Sequence, residues 1–430
     1  MINIGDGGGN VSSLLECGLK NASNFKANFV DLFAGCGGLS LGLEQAGFKP
    51  LLVSELNKDA RNTYMTNRQT FSKDLVEVGS IYDLSSYRLK KLRKLWGEVD
   101  LVVGGPPCQG FSGIGHRRTH SVDKKDIPSN HLYEEMIRVI RCLQPKVFLF
   151  ENVRGLLNSK WDDTGKKVWP DVFKAFNCLR GYTVRHALVK AYDYGVPQNR
   201  PRVLLVGVRN KNLPKIRSSY CEDAVKAGFL PGKCMTVPNL EDLLGDLIDE
   251  NYEIELITRK YPHAATHLIQ QDMRKSSKMR KKGANLNEQE YSRHKLLIKE
   301  KFQYMIDHGI RSMKNMPIEF RTNKFSQRVL PLRWDEVGGS PNITATSLPD
   351  DYVHFSQPRS LTVREWARLQ GFPDDYKFCG KRTTGGVRRA GDPSKNNWDR
   401  EVPKYTQIGN AVPVQLAHAV GNHLLDKFIK

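Results

Sequence analysis

The chain has 430 residues and a formal net charge of +20, so it is long enough for two or three domains and favours an anionic partner, nucleic acid before an acidic membrane surface. No apolar run approaches the roughly 18 residues of a membrane span, and the first residues lack the features of a secretory signal, so we expect neither a membrane-spanning nor a secreted protein. The eight cysteines are scattered without a C-x-x-C pair, and we therefore expect no disulfide framework, no metal site and a reducing cytoplasm.

The order of the predicted elements indicates an α/β fold. Residues 1–25 are polar and rich in glycine, which predicts a flexible N-terminal arm. Between residues 26 and 209, short apolar runs alternate with amphipathic stretches, a pattern typical of βαβ units in a doubly wound, mostly parallel sheet. We expect a smaller, basic domain inserted at 210–370, a hinge at 371–403, and a C-terminal helix at 404–430 that returns to the first domain.

A glycine-rich turn follows the first predicted strand, in the stretch DLFAGCGGLSLGLEQAG. Gly35, Gly37 and Gly38 let a ligand approach the backbone closely at the start of a helix, although a plain strand–helix turn is an alternative interpretation. Glu55 ends the next strand about twenty residues later, where a carboxylate can accept hydrogen bonds from ribose hydroxyls. The neighbouring Asp31 disfavours a phosphate and suits a cationic ligand such as a sulfonium. The pattern therefore favours a nucleoside-type cofactor.

Four further segments carry groups suited to chemistry on an electrophilic aromatic ring. Cys108 lies in GGPPCQGFS behind two prolines, which hold it at the carboxyl end of a predicted strand. Glu151 ends the next core strand in the segment ENV. Arg200 and Arg202 precede another strand in PQNRPR, and QIGNAVP adds the amide of Asn410. Each group alone has a structural alternative, namely an inert buried thiol, a capping carboxylate or a salt-bridged surface arginine.

Together these segments resemble one family, the DNA (cytosine-5) methyltransferases of the prokaryotic restriction–modification type. The matching pieces are DLFAGCGGLSLGLEQAGF, SELN, GGPPCQGFS, ENVRGLL, YGVPQNRPRV, RSLTVREWARLQGFPDDY and QIGNAVPVQLA, in the family's order from about residue 28 to 424. Residues 210–330 have no recognisable counterpart. The resemblance implies an S-adenosylmethionine-dependent methyltransferase fold with a smaller target-recognition domain. It also implies methyl transfer to C5 of a flipped-out cytosine in a specific duplex DNA sequence.

The resemblance implies a role for each group at the reacting base. Cys108 would add to C6 of the cytosine as a thiolate, Glu151 would hold N3 and the exocyclic amine, and Arg202 would contact O2 and a nearby phosphate. Arg200 would support Arg202. The other active-site positions that it implies are Gln109, Ser112, Asn152 and Val153.

S-adenosylmethionine is the cofactor that the resemblance implies. Phe33 would stack on the adenine, and Glu55 would bind the ribose hydroxyls. The full set of implied contacts is Asp31, Phe33, Ala34, Gly35, Gly37, Gly38, Leu39, Glu55, Leu56, Ser80, Ile81, Pro107, Leu132, Asn410, Ala411 and Val412. The family usually places an aspartate on the adenine amine where this chain has Ser80, and the sequence leaves open whether Ser80 or Asp83 makes that contact.

Bases inside a duplex are out of reach of a thiol, so the target cytosine has to be flipped out. The stretch after Cys108 predicts a mobile loop that closes over DNA, with a disordered surface loop as the alternative. Its predicted phosphate contacts are His116, Arg117, Arg118, Lys124 and Lys125. The interval 210–358 corresponds to the family's target-recognition region. Its basic run RKSSKMRKKG, residues 274–283, predicts further phosphate contacts, with a solvated helix face as the alternative.

Two other functions stay open at this point. An RNA cytosine-5 methyltransferase would use the same site, but the long basic segment favours duplex DNA. A catalytically silent DNA-binding module would not need Cys108, Glu151 and Arg202 together. We expect a monomeric prokaryotic enzyme in the cytoplasm, with double-stranded DNA as its partner and no membrane association. A cognate restriction endonuclease would act on the same DNA site without stable association.

Overall fold

One sheet of seven strands organises the first half of the chain in the computed structural model. The strands are β1 (Ala27–Leu32), β2 (Phe48–Ser54), β3 (Val76–Val78), β4 (Leu101–Gly104), β5 (Val147–Val153), β6 (Tyr182–Lys190) and β7 (Pro201–Arg209), in the spatial order β3-β2-β1-β4-β5-β7-β6. β1 to β5 pair in parallel, whereas β7 runs antiparallel to both β5 and β6. The predicted doubly wound, mostly parallel sheet is therefore confirmed. The structure describes residues 25–71, 73–107, 127–162, 165–213, 221–233, 237–310, 312–321, 327–330, 343, 351–384 and 401–430.

Helices cover both faces of this sheet, because its central strands are apolar on both sides. The described α-helices are α1 (Gly38–Ala46), α2 (Lys58–Thr66), α3 (Ser86–Trp96), α4 (Leu132–Leu143), α5 (Val168–Asn177), α6 (Leu240–Leu244), α7 (Leu268–Met273), α8 (Leu296–Asp307), α9 (Val363–Leu369), α10 (Lys404–Asn410) and α11 (Val414–Leu424). α1 and α11 form a hydrophobic core with one face of the sheet, and α3, α4 and α5 form a second core with the other face. Two short parallel strands, β8 (Arg328–Val329) and β9 (Tyr352–Val353), pair outside the main sheet.

The first and last described helices pack directly on each other. A Cβ atom at Gly42 in α1 would lie 2.4 Å from the carbonyl oxygen of Val414 and 2.5 Å from the Cβ of Ala417 in α11. Only glycine fits at such a backbone contact. Residues predicted to return to the first domain thus touch the helix that follows the glycine-rich turn.

A third hydrophobic cluster joins the glycine-rich turn to the later part of the chain. It contains Cys36 and Leu41 next to Trp366, Phe372 and Tyr405, all of them buried. These contacts run across the predicted boundaries at 370 and 403. The division of the chain into four parts after the N-terminal arm stays a prediction.

Buried ion pairs connect α9 with residues upstream of it. The guanidinium of Arg368 lies 2.5 Å from Asp246 Oδ1 and 2.6 Å from Asp374 Oδ2, and Arg274 Nη2 lies 2.5 Å from Asp246 Oδ2. All four side chains are almost completely buried. Since an unpaired buried charge is costly, these residues have to fold together as one unit. The ion pairs therefore hold α9 on the segment 246–274.

Candidate active site

The carboxyl ends of β1 and β4 lie side by side at the centre of the sheet. On one side of this point the strands follow in the order β1, β2, β3, and on the other side in the order β4, β5, so the strand order reverses here. The last residues of the two strands, Leu32 and Gly104, are register partners. Ligands of open α/β sheets bind in the crevice at such a switch point. The glycine-rich turn after β1 and the two prolines after β4 therefore border the same crevice.

The loop after β4 is fixed to the end of β5. Asn152 Nδ2 donates a hydrogen bond of 3.1 Å to the carbonyl oxygen of Pro106. A Cβ atom at Gly105 would lie 2.9 Å from Glu151 Oε2, so the missing side chain lets the loop approach the carboxylate. The backbone just before Cys108 consequently lies beside Glu151. Cys108, Gln109 and Ser112 themselves lie outside the described residues.

Glu151 forms an ion pair with Arg202 at the junction of β5 and β7. Val153 and Arg202 are register partners in these antiparallel strands, and Arg202 Nε lies 2.7 Å from Glu151 Oε1. Both side chains are mostly buried. Burial lowers the pKa of Arg202, and the neighbouring carboxylate counteracts part of this effect. The guanidinium thus fixes one carboxylate oxygen, while the other faces Gly105 in the loop before Cys108.

Arg200 makes a different set of contacts, although it lies only two residues from Arg202. Its Nη2 donates to the carbonyl oxygens of Gly409 (2.7 Å) and Ala411 (2.9 Å), and its Nη1 donates to the carbonyl oxygen of Ile343. The side chain is 1% exposed. Its hydrogen bonds within the described residues go to these backbone carbonyls and not to the groups around Glu151.

The backbone of the glycine-rich turn adopts a left-handed conformation at several positions. Phe33 has a φ of 59°, Gly35 of 57° and Gly37 of 88°. Such a conformation is costly for a residue like phenylalanine and is typical of functional sites. A Cβ atom at Gly38 would lie 2.4 Å from the carbonyl oxygen of Val412, so the C-terminal turn closes one side of the glycine-rich turn.

Arg68, whose role is not evident from the sequence, holds the backbone of this turn through hydrogen bonds. Its Nη2 donates to the carbonyl oxygen of Gly37 (3.2 Å), and its Nε pairs with Glu44 Oε1 at 2.6 Å. Its Nη1 donates to the hydroxyl of Tyr376 (3.1 Å), which donates to the carbonyl oxygen of Cys36 at 2.5 Å. From the sequence alone, an arginine just beyond the end of a helix is expected to be exposed to solvent. Only the fold shows that Arg68 supports the turn.

Glu55 lies at the end of β2 and bridges two backbone segments. Its Oε2 accepts a hydrogen bond from the Gly35 N–H and its Oε1 accepts one from the Asn57 N–H, both at 2.8 Å. Each carboxylate oxygen has two lone pairs, so one acceptor position on each oxygen is left for a ligand. Burial raises the pKa of Glu55, and the two N–H groups oppose this shift. The next residue, Leu56, is 76% exposed beside this carboxylate.

Two of the predicted cofactor contacts, Leu39 and Asp31, have buried side chains. The side chain of Leu39 packs in the hydrophobic core with Phe29 and Leu43, because it points inward from α1. Asp31 is 1% exposed and its Oδ2 accepts a hydrogen bond of 2.5 Å from the Ser40 hydroxyl. Burial raises the pKa of Asp31 to about 7, so near neutral pH it does not carry the full charge that the sequence argument assumed. Its Oδ1 has no hydrogen-bond partner among the described residues.

Ser80 and Asp83, the two alternatives for the adenine contact, lie at the two ends of one helical turn: Ser80 caps the short 3-10 helix Ile81–Asp83. Asp83 Oδ2 accepts a hydrogen bond of 3.3 Å from the Ser80 N–H, and Ser80 Oγ accepts one of 3.3 Å from the Tyr82 N–H. This reciprocal arrangement is a capping box. Both side chains keep further acceptor positions, whereas the side chain of Ile81 is buried in the core.

The other predicted cofactor contacts differ in exposure. Asn410 is exposed at the end of α10, followed by buried Ala411 and Val412. Phe33 and Leu132 are partly buried against the same hydrophobic core. Pro107 is exposed, and the Ala34 N–H donates to the carbonyl oxygen of Ser54 at 3.1 Å.

The predicted DNA contacts divide into two groups. The loop residues His116, Arg117, Arg118, Lys124 and Lys125 lie outside the described residues. The basic run 274–283 is described, and here the prediction is wrong for Arg274, which is fully buried with Asp246 and stacks 3.5 Å above the Tyr261 ring centroid. Arg280 donates to the carbonyl oxygen of Gln271. Lys278, Lys281 and Lys282 are exposed and stay candidates for phosphate contacts.

Replacing these three lysines by glutamine should weaken binding to all duplexes about equally. Each lost phosphate contact lowers the slope of log affinity against log salt by roughly 0.9, and phosphate contacts carry no direct base information. A salt titration of binding on target-site and scrambled duplexes measures both effects. Arg274→Gln is the contrasting variant from the same run. Because Arg274 is buried and paired with Asp246, this change should lower the melting temperature. Unchanged slopes in the triple variant would place these lysines off the DNA.

Neither a membrane segment nor a metal cluster is evident in the described part of the chain. None of its helices is long and apolar enough to cross a membrane. No group of three or more His, Cys, Asp or Glu side chains in these ranges could hold a metal ion.

Comparisons with known proteins match almost the whole chain. The family model "C-5 cytosine-specific DNA methylase" matches residues 27–426. The Type II methyltransferase M.DdeI of Desulfomicrobium norvegicum is 31% identical, with 92% of this chain and 88% of the relative covered. M.Eco47II of Escherichia coli, also a Type II methyltransferase, is 31% identical, with 95% and 82% covered. A crystal structure assigned as a prophage-encoded DNA modification methyltransferase from E. coli superposes with a TM-score of 0.64 at 23% identity, covering 93% of this chain and 99% of that one.

Proposed function

Because the chain belongs to the family of C-5 cytosine-specific DNA methylases, we propose that Cys108, Glu151 and Arg202 carry its reaction, methyl transfer to C5 of a cytosine. The single observation that supports this best is the 2.7 Å ion pair between Glu151 and Arg202. It lies next to the loop that precedes Cys108, since Asn152 bonds to Pro106. A hydrogen-bonding carboxylate and a cation thereby lie beside the backbone that leads to the proposed nucleophile.

The proposed reaction needs each of these groups. C5 of cytosine is a weak nucleophile, and addition of the Cys108 thiolate to C6 turns the ring into an enamine. Glu151 accepts a hydrogen bond from the exocyclic amine and holds a proton at N3, which stabilises the negative charge that develops on the ring. Arg202 contacts O2 and keeps Glu151 in place. After transfer, C5 loses its proton, the bond between C6 and sulfur breaks, and the thiolate is regenerated.

S-adenosylmethionine, which the family typically uses, fits the residues around the glycine-rich turn. When bound, it supplies the electrophilic methyl group. Glu55 keeps one free acceptor position on each oxygen for ribose hydroxyls, and exposed Leu56 offers an apolar surface to the adenine. Asp31 Oδ1 is a buried acceptor without a partner among the described residues. Phe33 and the Asn410 turn provide the remaining walls.

Glu55→Ala should lower cofactor affinity at least about tenfold. It removes two charged acceptors for ribose hydroxyls, each contributing about 1 kcal/mol or more, and it frees the Gly35 N–H. Calorimetric titration with S-adenosylhomocysteine measures the change. Glu77→Ala is the control, because Glu77 lies on the neighbouring strand β3 and its carboxylate pairs with Arg61 at 2.9 Å and not with the Gly35 N–H. Equal dissociation constants for wild type and Glu55→Ala would show that Glu55 is only structural.

The substrate we propose is duplex DNA with a defined target site, as expected for a modification enzyme of a Type II restriction–modification system. The curated relatives carry Type II names, and the charge of +20 suits a polyanion. We further propose a monomer that acts in the bacterial cytoplasm. A cognate endonuclease would act on the same site without stable association.

One experiment tests the proposed function against its two alternatives. The protein is incubated with S-adenosylmethionine and random-sequence duplexes in which 5-fluorocytosine replaces cytosine, and with a tRNA carrying the same base. Fluorine at C5 prevents the final elimination, so the covalent complex between Cys108 and C6 persists. Trapping on duplex DNA is expected. Trapping on tRNA alone would indicate an RNA methyltransferase, and no trapping would indicate a silent binding module.

A further inference from the structure

The turn that carries Asn410 is held from one side by two buried polar side chains. α10 ends at Asn410, and the last carbonyl groups of a helix lack partners within the helix. Arg200 donates to the carbonyl oxygens of Gly409 and Ala411, on both sides of Asn410. Gln370 Nε2 donates to those of Ile408 (2.7 Å) and Ala411 (3.1 Å). Asn410 itself is exposed, so its backbone is fixed while its side chain stays free.

Arg200 and Gln370 belong to one hydrogen-bond network that starts before β7. Gln198 Nε2 donates to Gln370 Oε1 (2.5 Å), and its Oε1 accepts a hydrogen bond from the Ile343 N–H (3.2 Å). Arg200 donates to the carbonyl oxygen of the same Ile343. Gln198, Arg200 and Gln370 are all almost fully buried. Because these side chains bond to one another and to the backbone of the turn, the turn cannot shift without breaking several of these bonds.

The fixed turn closes one side of the proposed cofactor site. A Cβ atom at Gly38 would lie 2.4 Å from the carbonyl oxygen of Val412 and 3.0 Å from the Cβ of Ala411. Cys36 Sγ also bonds to the carbonyl oxygen of Gln407 at 3.3 Å. Any displacement of residues 409–412 therefore changes the distance between this turn and the glycine-rich turn.

We propose that Arg200 is a positioning residue for the cofactor: its guanidinium fixes the Asn410 turn against the glycine-rich turn. This inference rests on the proposed function, because it assumes that the crevice binds S-adenosylmethionine. Arg200 acts through the turn and not on the base, which distinguishes it from Arg202. Its planar donor groups reach three carbonyl oxygens in two segments, a geometry that a lysine ammonium on its flexible stem cannot reproduce.

Arg200→Lys tests this role, with Arg364→Lys as the matched control. Arg364 is also fully buried and donates to three backbone carbonyls, those of Asn287 (3.2 Å), Pro373 (3.0 Å) and Tyr376 (3.2 Å). Both variants should lose thermal stability. Only Arg200→Lys should weaken S-adenosylhomocysteine binding, by about tenfold, and raise the KM for S-adenosylmethionine on unmethylated plasmid DNA. Most of its kcat should return at saturating cofactor.

Three outcomes separate the inference from its premise. If wild type does not bind S-adenosylhomocysteine, the proposed function fails. If wild type binds it and Arg200→Lys binds it equally well, or if both lysine variants lose the same affinity, the positioning role is refuted. Gln370→Met serves if Arg200→Lys does not fold: it removes the side-chain donor to the carbonyls of Ile408 and Ala411 in the same turn, so it should weaken cofactor binding in the same direction. Wild-type affinity in that variant would also refute the inference.

Discussion

Cys108→Ala should abolish methyl transfer while leaving cofactor binding intact. A thiolate can add to C6 of cytosine, whereas an alanine methyl group cannot, and among the groups proposed for the site no other thiol is present. An ordinary cysteine is only a few per cent ionised near neutral pH, so the reacting thiol has to lose its proton before it adds. The measurement is transfer of a labelled methyl group to plasmid DNA.

Cys178→Ala is the control for this substitution. Cys178 is an exposed free cysteine at the end of α5, away from the crevice, so its removal should leave turnover near wild type. S-adenosylhomocysteine titration has to show equal affinity in wild type and both variants. Turnover of Cys108→Ala within a few-fold of wild type would rule out the covalent mechanism.

Glu151→Gln should lower the rate of methyl transfer by about 10²–10⁴-fold, the range typical of a lost acid–base group. The amide keeps the size of the side chain but cannot hold the proton at N3 that neutralises the negative charge building up on the ring. It also weakens the contact with Arg202 at 2.7 Å. The effect should appear in single-turnover rates at saturating DNA and cofactor, because the base can still enter the site.

Glu135→Gln breaks a comparable pair and serves as the matched control. Glu135 Oε2 lies 2.6 Å from Arg138 Nη2 on α4, and both side chains are partly buried. Any general cost of removing a carboxylate from an arginine should therefore appear in both variants. A similar decrease in rate for the two would assign Glu151 to stability and not to the reaction.

The sheet and its switch point could be predicted from the sequence, because they depend on local patterns. Buried strands such as β1 and β4 are continuous apolar runs, and each is followed by a residue pattern that ends it: glycines after β1 and prolines after β4. Parallel pairing then brings both strand ends to one edge. The proximity of Glu151 and Arg202 does not follow from this reasoning. Arg202 lies at the start of β7, and only the antiparallel pairing of β7 with β5 brings it to the end of β5.

The roles of the buried arginines could not be predicted in this way. Arg68, Arg200 and Arg274 bind groups that are far away in the sequence, and a charged residue without a known partner is most simply interpreted as solvent-exposed. Arg274 lies in a run of exposed and half-buried residues, yet its partner Asp246 is 28 residues away. Such pairings depend on tertiary packing, which local composition does not encode.

The contact between the glycine-rich turn and the C-terminal turn has a consequence for biosynthesis. Cys36 bonds to Gln407, 371 positions later, so the ribosome has to add that many residues before the pocket can close. At translation speeds of about 5–20 residues per second this takes on the order of half a minute. During that time the nascent chain exposes the apolar face of α1 that α11 later covers. Chaperone binding during translation should therefore concentrate on this face, and catalytic competence should arise only at the end of synthesis.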